Sequence, residues 1–293
     1  MKPGPFVYHD PTSVDDVVAL LGQHEDAKLL AGGQSLMPMM NMRFVVPDHV
    51  IDLNGVADMS GVDDAGEALT IGAMTRQREL ADSETVAART PIIQEALAYV
   101  GHFQTRTRGT IGGSLCHLDP AAELPTVAAA YDAQLTAAGP DGTRDIAFAE
   151  WSQAYMMTAL APEEVLTQLK IPYWSEPHGS AFVEFARRHG DFAIIGVAAL
   201  LAVDGGKISR AAVAVGGADV RPLRLADVEA MLVGEAPGET AFAEAGAMAR
   251  KIDAMSDAYV TTKYRQRLAG VLVERALAQA AERANAKSSN GGG

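Results

Sequence analysis

Two glycine pairs are the residues of this 293-residue chain best suited to chemistry. The first stands in Ala31-Gly32-Gly33-Gln34-Ser35, directly after Lys28-Leu29-Leu30. The second stands in Thr110-Ile111-Gly112-Gly113-Ser114, followed by Asp119-Pro120. Each sets two residues without Cβ beside a hydroxyl or amide side chain. A loop of that kind can bring backbone N–H groups close to a phosphate oxygen, an approach that a Cβ would obstruct. A single Gly-Gly pair is equally well read as a tight turn after a strand or as the entry to a helix. Two pairs, with the residues around them, point to a dinucleotide whose diphosphate is held from two sides. Neither pair has the spacing G-x-G-x-x-G, nor that of a Walker-type phosphate loop, so no Rossmann or P-loop site is supported.

Other residues near these pairs have two readings each. Arg106-Thr107-Arg108 could offset diphosphate charge or form a solvated basic run. Cys116 and His117 follow the second pair and admit a covalent flavin link, but packed residues beside a ligand fit them better. Glu123 could accept hydrogen bonds from ribityl or ribose hydroxyls. It could also favour a helix start, since Pro125 places a first turn nearby. Phe192, after Arg187-Arg188-His189-Gly190-Asp191, could stack on a ring system or belong to the core. The methionines Met37, Met39, Met40 and Met42 read as flexible core filler. There is no G-x-S-x-G and no H-E-x-x-H, and no catalytic or metal-binding residue is expected within the chain.

The composition narrows the classes. A formal net charge of −13 argues against nucleic acid and against an anionic membrane surface. No apolar stretch approaches bilayer length, and the start lacks the apolar segment of a secretory signal, so a cytoplasmic protein is expected. The single cysteine, Cys116, excludes an intrachain disulfide and a self-contained iron–sulfur cluster. Any redox chemistry must then rest on an organic cofactor.

The elements that position these residues read as α+β. Strands are expected at residues 6–8, 28–30 and 50–53, with helices from Ser13 to about Gly22 and from Leu36 to Met42. A second region holds a strand at Ala68–Ala73, a short helix capped by Thr75, and a helix opened by Pro91. It continues with a polar loop from His102 to Arg108, the second Gly-Gly loop, a helix near Leu124–Tyr131, and strands at 134–137, 146–148 and 165–171. A third region has strands at 180–186 and 192–202, then a hairpin turn at Asp204-Gly205-Gly206-Lys207. Helices follow to about Glu282. Four divisions are expected: 1–55, 56–176, 177–285, and a disordered tail at 286–293.

In this order and spacing, AGGQSLMPMMNMR, TRTRGTIGGSLCHLDPAAELP and FARRHGDFAIIGVAA resemble the FAD-binding medium subunit of molybdenum hydroxylases. The aerobic carbon monoxide dehydrogenase type is the nearer form and the xanthine dehydrogenase flavin domain a more distant one. The resemblance runs from Phe6 to about Ala284. It implies a vanillyl-alcohol-oxidase-type fold, in which two N-terminal α/β subdomains clasp FAD and a C-terminal subdomain of sheet and helices closes over it. By the same resemblance, Leu29, Leu30, Ala31, Gly32, Gly33, Gln34, Ser35 and Leu36 wrap the diphosphate. Thr110, Gly112, Gly113 and Ser114 hold its other side. Glu123 matches the acid that follows the second loop, and Leu166 an adenine-side apolar contact. Gly190, Asp191 and Phe192 match the segment near the isoalloxazine, and Gly101, His102 and His117 join the cofactor-binding set. Phe192 stands where the carbon monoxide enzyme has Tyr, and Cys116-His117 where many relatives have Ala-His or Ala-Asn.

The role so implied is electron transfer. Substrate is oxidised at a molybdopterin cofactor on a large subunit, and electrons cross 2Fe–2S clusters on a small subunit. FAD on this chain passes them to an external acceptor, within a dimer of heterotrimers. A stand-alone flavin-dependent oxidoreductase of the same fold is the alternative. It would need an acid or base from His102, His117 or His189.

Overall fold

The computed structural model describes residues 1–64 and 66–290. Among the described residues the chain builds three larger sheets, each placing one stretch of the expected site, and one small two-stranded sheet.

The first sheet is parallel, with strand order β1-β3-β2, from β1 (Val7–His9), β2 (Ala27–Leu30) and β3 (His49–Asp52). Helix α1 (Val14–Gln23) crosses from β1 to β2, and Ser13 caps it by accepting from the Asp16 N–H at 3.1 Å. Val17 and Leu21 are its buried face. Helix α2 (Leu36–Asn41) opens directly after the first glycine pair. That pair therefore lies at the carboxyl end of a parallel strand, where open α/β sheets bind ligands.

The second sheet has order β4-β5-β10-β6-β7. Its first strands are β4 (Val62–Asp64) and β5 (Ala68–Gly72). Helices α3 (Gln77–Asp82), α4 (Glu84–Arg89), α5 (Pro91–Tyr99), α6 (Phe103–Arg108), α7 (Ile111–His117) and α8 (Glu123–Ala130) follow. Then come β6 (Gln134–Gly139), β7 (Gly142–Ala147), a short α9 (Phe148–Trp151), and the small pair β8 (Ser152–Ala154) and β9 (Met157–Thr158). Strand β10 (Val165–Pro172) returns to the sheet centre between β5 and β6. Leu69, Ile71, Leu135 and Leu169 form the core between this sheet and its helices. Each such fully buried side chain contributes about 1.5–3 kcal/mol.

The third sheet is antiparallel: β11 (His178–Phe185), β12 (Ile195–Asp204), β13 (Lys207–Gly216) and β14 (Leu223–Arg224). Helices α10 (Ala226–Leu232), α11 (Glu239–Ala249) and α12 (Thr262–Asn290) cover it. Small residues on α12 let it lie on the sheet backbone. A Cβ on Gly179 would stand 1.9 Å from the Ala280 carbonyl oxygen. Arg283 Nη1 donates to both Glu95 carboxylate oxygens, at 2.8 and 2.9 Å, tying α12 to α5.

Several expected elements differ. Residues 103–108 form a helix rather than a loop. Their polar composition hides it, but Arg106 Nη1 donates to the Val100 carbonyl at 2.8 Å and Arg78 sits over the Phe103 ring at 4.1 Å. Thr75 is no helix cap. It is buried, and its hydroxyl bonds the Gly61 N–H and C=O, while Arg76 takes the cap position of α3 with Glu79 accepting from its N–H. The second glycine pair lies inside the first turn of α7, with Thr110 as N-cap. The strand expected from Phe192 begins at Ile195. Helix α12 runs on through Asn290, past the expected start of a disordered tail, and residues 291–293 lie outside the described residues.

Candidate functional site

The two glycine segments meet. Gly32 packs against the chain just before the second segment: a Cβ on it would stand 2.2 Å from the Arg108 carbonyl oxygen and 2.8 Å from Gly109 Cα. A Cβ on Gly113 would stand 3.6 Å from Ala31 Cβ. Arg76 holds this junction. Its Nη1 donates to the Arg108 carbonyl at 2.5 Å and its Nη2 to Asn54 Oδ1. Asn54 Nδ2 in turn donates to the Ala31 carbonyl at 3.1 Å. Asp52, at the end of β3, accepts from the Asn54 N–H at 2.9 Å and from the Tyr8 hydroxyl at 2.6 Å. Arg76, Asn54 and Asp52 were not legible as site residues, because each is an ordinary polar residue in an ordinary turn. Only the fold gives them a shared position.

The two segments treat their backbone differently. Gly33 has φ +71°, the left-handed region that glycine enters freely. Among the described residues, no main-chain N–H of Gly32, Gly33, Gln34 or Ser35 donates to another protein group. The Gln34 side chain reaches back to the Gly32 carbonyl at 3.2 Å, and Ser35 makes no capping bond with its hydroxyl. The segment is thus a turn with several N–H donors open to a ligand. At the second pair the donors are engaged. The Gly112 N–H bonds the Ala73 carbonyl at 2.8 Å, that of Gly113 the Thr110 hydroxyl at 3.0 Å, and that of Ser114 the Thr110 carbonyl at 3.2 Å. A Cβ on Gly112 would stand 2.6 Å from Ala73 Cβ, so that glycine admits close helix-to-strand packing. What this segment can offer a ligand is the half-buried Ser114 and Gly113, beside Ala31.

Leu29, Leu30 and Leu36 flank the first turn and are half-buried, leaving apolar surface beside the open donors. Leu166 is fully packed in the main core.

A second cluster gathers where α5 meets the third sheet. Gly190, with φ +83°, packs on the Gly101–His102 turn: a Cβ there would stand 3.0 Å from the Gly101 carbonyl and 3.3 Å from His102 Cε1. Gly101 itself has φ +45°. Tyr99, Glu184, Phe185, Arg188, His189 and Gly190 line a cleft beside it. Asp191 donates its N–H to the Arg188 carbonyl at 3.1 Å, and Phe192 is 76% exposed. An aromatic that exposed is not core, which leaves its face open for stacking. Buried Arg265 anchors the segment by donating to the Ile194 and Gly217 carbonyls at 2.7 and 2.5 Å.

Electrostatics sets the remaining candidates apart. Desolvation pushes the Cys116 thiol up to about 12, which removes it as a thiolate nucleophile. Burial also holds His117 below the usual imidazole range, only partly offset by Asp119. Glu123 is raised to about 7, first by desolvation and further by Asp119. Glu184 is raised to about 8 by desolvation and by Glu123, and its Oε2 is buried without a partner. At neutral pH Glu184 is held mostly protonated and Glu123 about half so, and the protonated form of each can donate a hydrogen bond.

The residues suit a flavin dinucleotide. A left-handed glycine turn with several unengaged main-chain N–H donors matches a diphosphate. Protonated carboxyls and an exposed aromatic match the hydroxylated and aromatic parts of such a ligand.

Comparison with known proteins bears on the same site. Residues 4–174 match the family described as FAD binding domain in molybdopterin dehydrogenase, and residues 180–280 match the CO dehydrogenase flavoprotein C-terminal domain. The chain is 38% identical to the 6-hydroxypseudooxynicotine dehydrogenase complex subunit alpha of Paenarthrobacter nicotinovorans, covering 97% of each chain. It is 38% identical to the carbon monoxide dehydrogenase medium chain of Afipia carboxidovorans, covering 99% of this chain and 100% of that one. A solved structure of carbon monoxide dehydrogenase from Hydrogenophaga pseudoflava superposes with a TM-score of 0.94 at 37% identity, over 97% of this chain and 99% of that one. The α+β architecture expected from the sequence is the one these relatives share. This chain belongs to the family of FAD-binding medium subunits of molybdenum hydroxylases, and is an oxidoreductase subunit with FAD as its cofactor.

Proposed function

We propose that this chain is the electron-exit subunit of a heterotrimeric molybdenum hydroxylase, holding FAD between its two glycine segments. FAD, when bound, supplies the exchange between single electrons from 2Fe–2S clusters on a small partner subunit and an external acceptor. The molybdopterin centre that oxidises substrate belongs to a large partner subunit, and the working assembly is a dimer of heterotrimers in the cytoplasm. Two facts agree with this. The only cysteine, Cys116, cannot ligate a cluster by itself, and among the described residues no helix is long and apolar enough to cross a membrane.

The chain's own residues bind and orient. The open N–H groups of Gly32 to Ser35 take the diphosphate, with Leu29, Leu30 and Leu36 excluding water beside them. Gly113 and Ser114 close the other side, on the Thr110 cap. Protonated Glu123 donates to a hydroxyl or carbonyl of the cofactor. Gly101, His102, His117, Asp191 and Phe192 enclose the ring end. We also assign residues 1–55 and 56–176 as the two FAD-binding subdomains and 177–285 as the subdomain that closes over the ring.

The observation that carries this reading is the direct contact of Gly32 with Arg108–Gly109, which brings two distant segments into one crevice. It is tested by purifying the chain alone and with its genomic neighbours. Flavin bands near about 370 and 450 nm are expected for the chain alone. Reduction of that flavin by substrate is expected only when cluster and molybdopterin subunits are present. Rapid reduction of the isolated chain by a small organic substrate would contradict the proposal.

A further inference from the structure

Three histidines converge on the first sheet, away from the glycine segments. His9 lies in β1, His49 in β3, and His24 is the C-cap residue of α1. The strand register pairs Val7 with His49 and His9 with Ile51, so the two strand histidines lie two positions apart on one face of the sheet. His9 Nε2 and His49 Nδ1 are 2.9 Å apart. The His24 and His49 rings stack with centroids 3.8 Å apart and planes 11° apart, and His9 lies 5.0 Å from His24 between centroids. One ring nitrogen from each residue lies within 4.8 Å of those of the other two. All three side chains are half-buried.

We propose that His9, His24 and His49 form a site for one divalent first-row transition ion of the zinc class. Neutral imidazole is a favoured ligand for such ions, and three protein ligands leave a fourth position for water or an outside donor. Metal–nitrogen bonds of about 2.0–2.1 Å in a tetrahedron place the nitrogens roughly 3.3 Å apart. The close pair must open by about 0.4 Å and the longest edge contract by at most about 1.5 Å, and the His24 and His49 rings must turn out of their stack so that both planes contain the ion, all by side-chain rotation. To present both nitrogens of the close pair, His9 carries its proton on Nδ1 and His49 on Nε2. Each histidine has an acid beside it in sequence: Asp10, Glu25 with Asp26, and Asp48. That charge favours a cation over a bare cluster of donors. The ion would clasp β1, β3 and the end of α1, bracing the sheet whose β2 carries the first glycine turn.

The test uses the full-length, FAD-loaded chain without a histidine tag, stripped of metal with EDTA. Titration with zinc chloride followed by calorimetry is expected to show one equivalent bound, and cobalt(II) is expected to give the visible bands of an imidazole-ligated ion. His24→Ala and His49→Ala should each weaken binding by about tenfold or more. His178→Ala, on the third sheet, should leave it unchanged. Circular dichroism checks that each variant folds, and His24→Gln replaces any that does not. No stoichiometric zinc binding, or binding that survives both the His24 and His49 substitutions, would overturn the proposal.

Discussion

At Gly32-Gly33 the backbone turns outward after a half-buried strand, and its N–H groups find no protein acceptor among the described residues. At Gly112-Gly113 the backbone turns inward, and each N–H is already bonded, to Ala73 or Thr110. The two pairs look interchangeable in sequence. The first owes its glycines to a left-handed turn and to contact with Arg108, the second to the space that Ala73 leaves. The same dipeptide thus serves a turn with unengaged N–H donors in one place and helix packing in the other. Glycine inside a helix costs about 1 kcal/mol relative to alanine, so α7 keeps two only because a larger residue would cost more.

The sharpest way to break this contrast is Gly112→Val. Its side chain must displace α7 from Ala73, and overpacking of this kind costs roughly 1–3 kcal/mol or more. A drop in melting temperature of about 5 °C or more is expected, with or without FAD. An unchanged melting temperature would mean that the second pair is not a packing device.

Gly33→Val probes the other side. A β-branched residue at φ +71° costs roughly 1–2 kcal/mol locally, and its bulk adds contacts with Met37 and Leu30. FAD affinity, measured by titrating the stripped chain, should fall by about tenfold or more, while the melting temperature falls less than for Gly112→Val. Equal thermal losses with intact flavin binding would erase the distinction.

Arg76→Ala loosens the junction that the two segments share. Losing its two hydrogen bonds, each contributing about 0.5–1.5 kcal/mol, should weaken FAD binding several-fold in the same titration. A variant that binds FAD normally would show that the segments hold their spacing without it.

The smallest effect concerns pH on the side of the second pair. Glu123 and Glu184 stay protonated in the fold up to about 7 and about 8, whereas in the unfolded chain they ionise near 4.5. Between those values the folded state binds more protons, so stability of the FAD-free chain should fall as pH rises from about 5 to 8. Glu184→Gln should flatten that slope by about 1–2 kcal/mol, a figure discounted for the solvent that reaches a half-buried side chain. Denaturant melts at pH 5 and pH 8 measure it, and a slope unchanged by the substitution would contradict the assignment.

Much of this was legible in the sequence because local chemistry and fold agree there. Ser13 before an acidic first turn marked α1, Pro91 marked α5, and Asp204-Gly205-Gly206-Lys207 marked the hairpin between β12 and β13. The glycine segments and the Gly190-Asp191-Phe192 turn were visible as motifs. Local sequence did not disclose which N–H groups would be engaged, since that depends on Ala73 and Thr110 arriving from other elements. Helix α6 was hidden because its polar residues are held by hydrogen bonds and a cation–π contact rather than by an apolar face. Arg76, Asn54 and the three histidines were hidden for a related reason. Their partners are distant in the chain, and only the parallel sheet and the junction of segments bring them together.

The central claim is that the outward turn supplies the main-chain N–H groups that take the diphosphate, while the inward one closes the other side with its own N–H bonds intact. A crystal structure of the FAD-loaded chain tests it most directly. The account predicts diphosphate oxygens within about 3 Å of main-chain N–H groups between Gly32 and Ser35, with the Gly112 N–H still on Ala73. A diphosphate bound instead by the main-chain N–H groups of Gly112 and Gly113, with the first turn left empty, would contradict it.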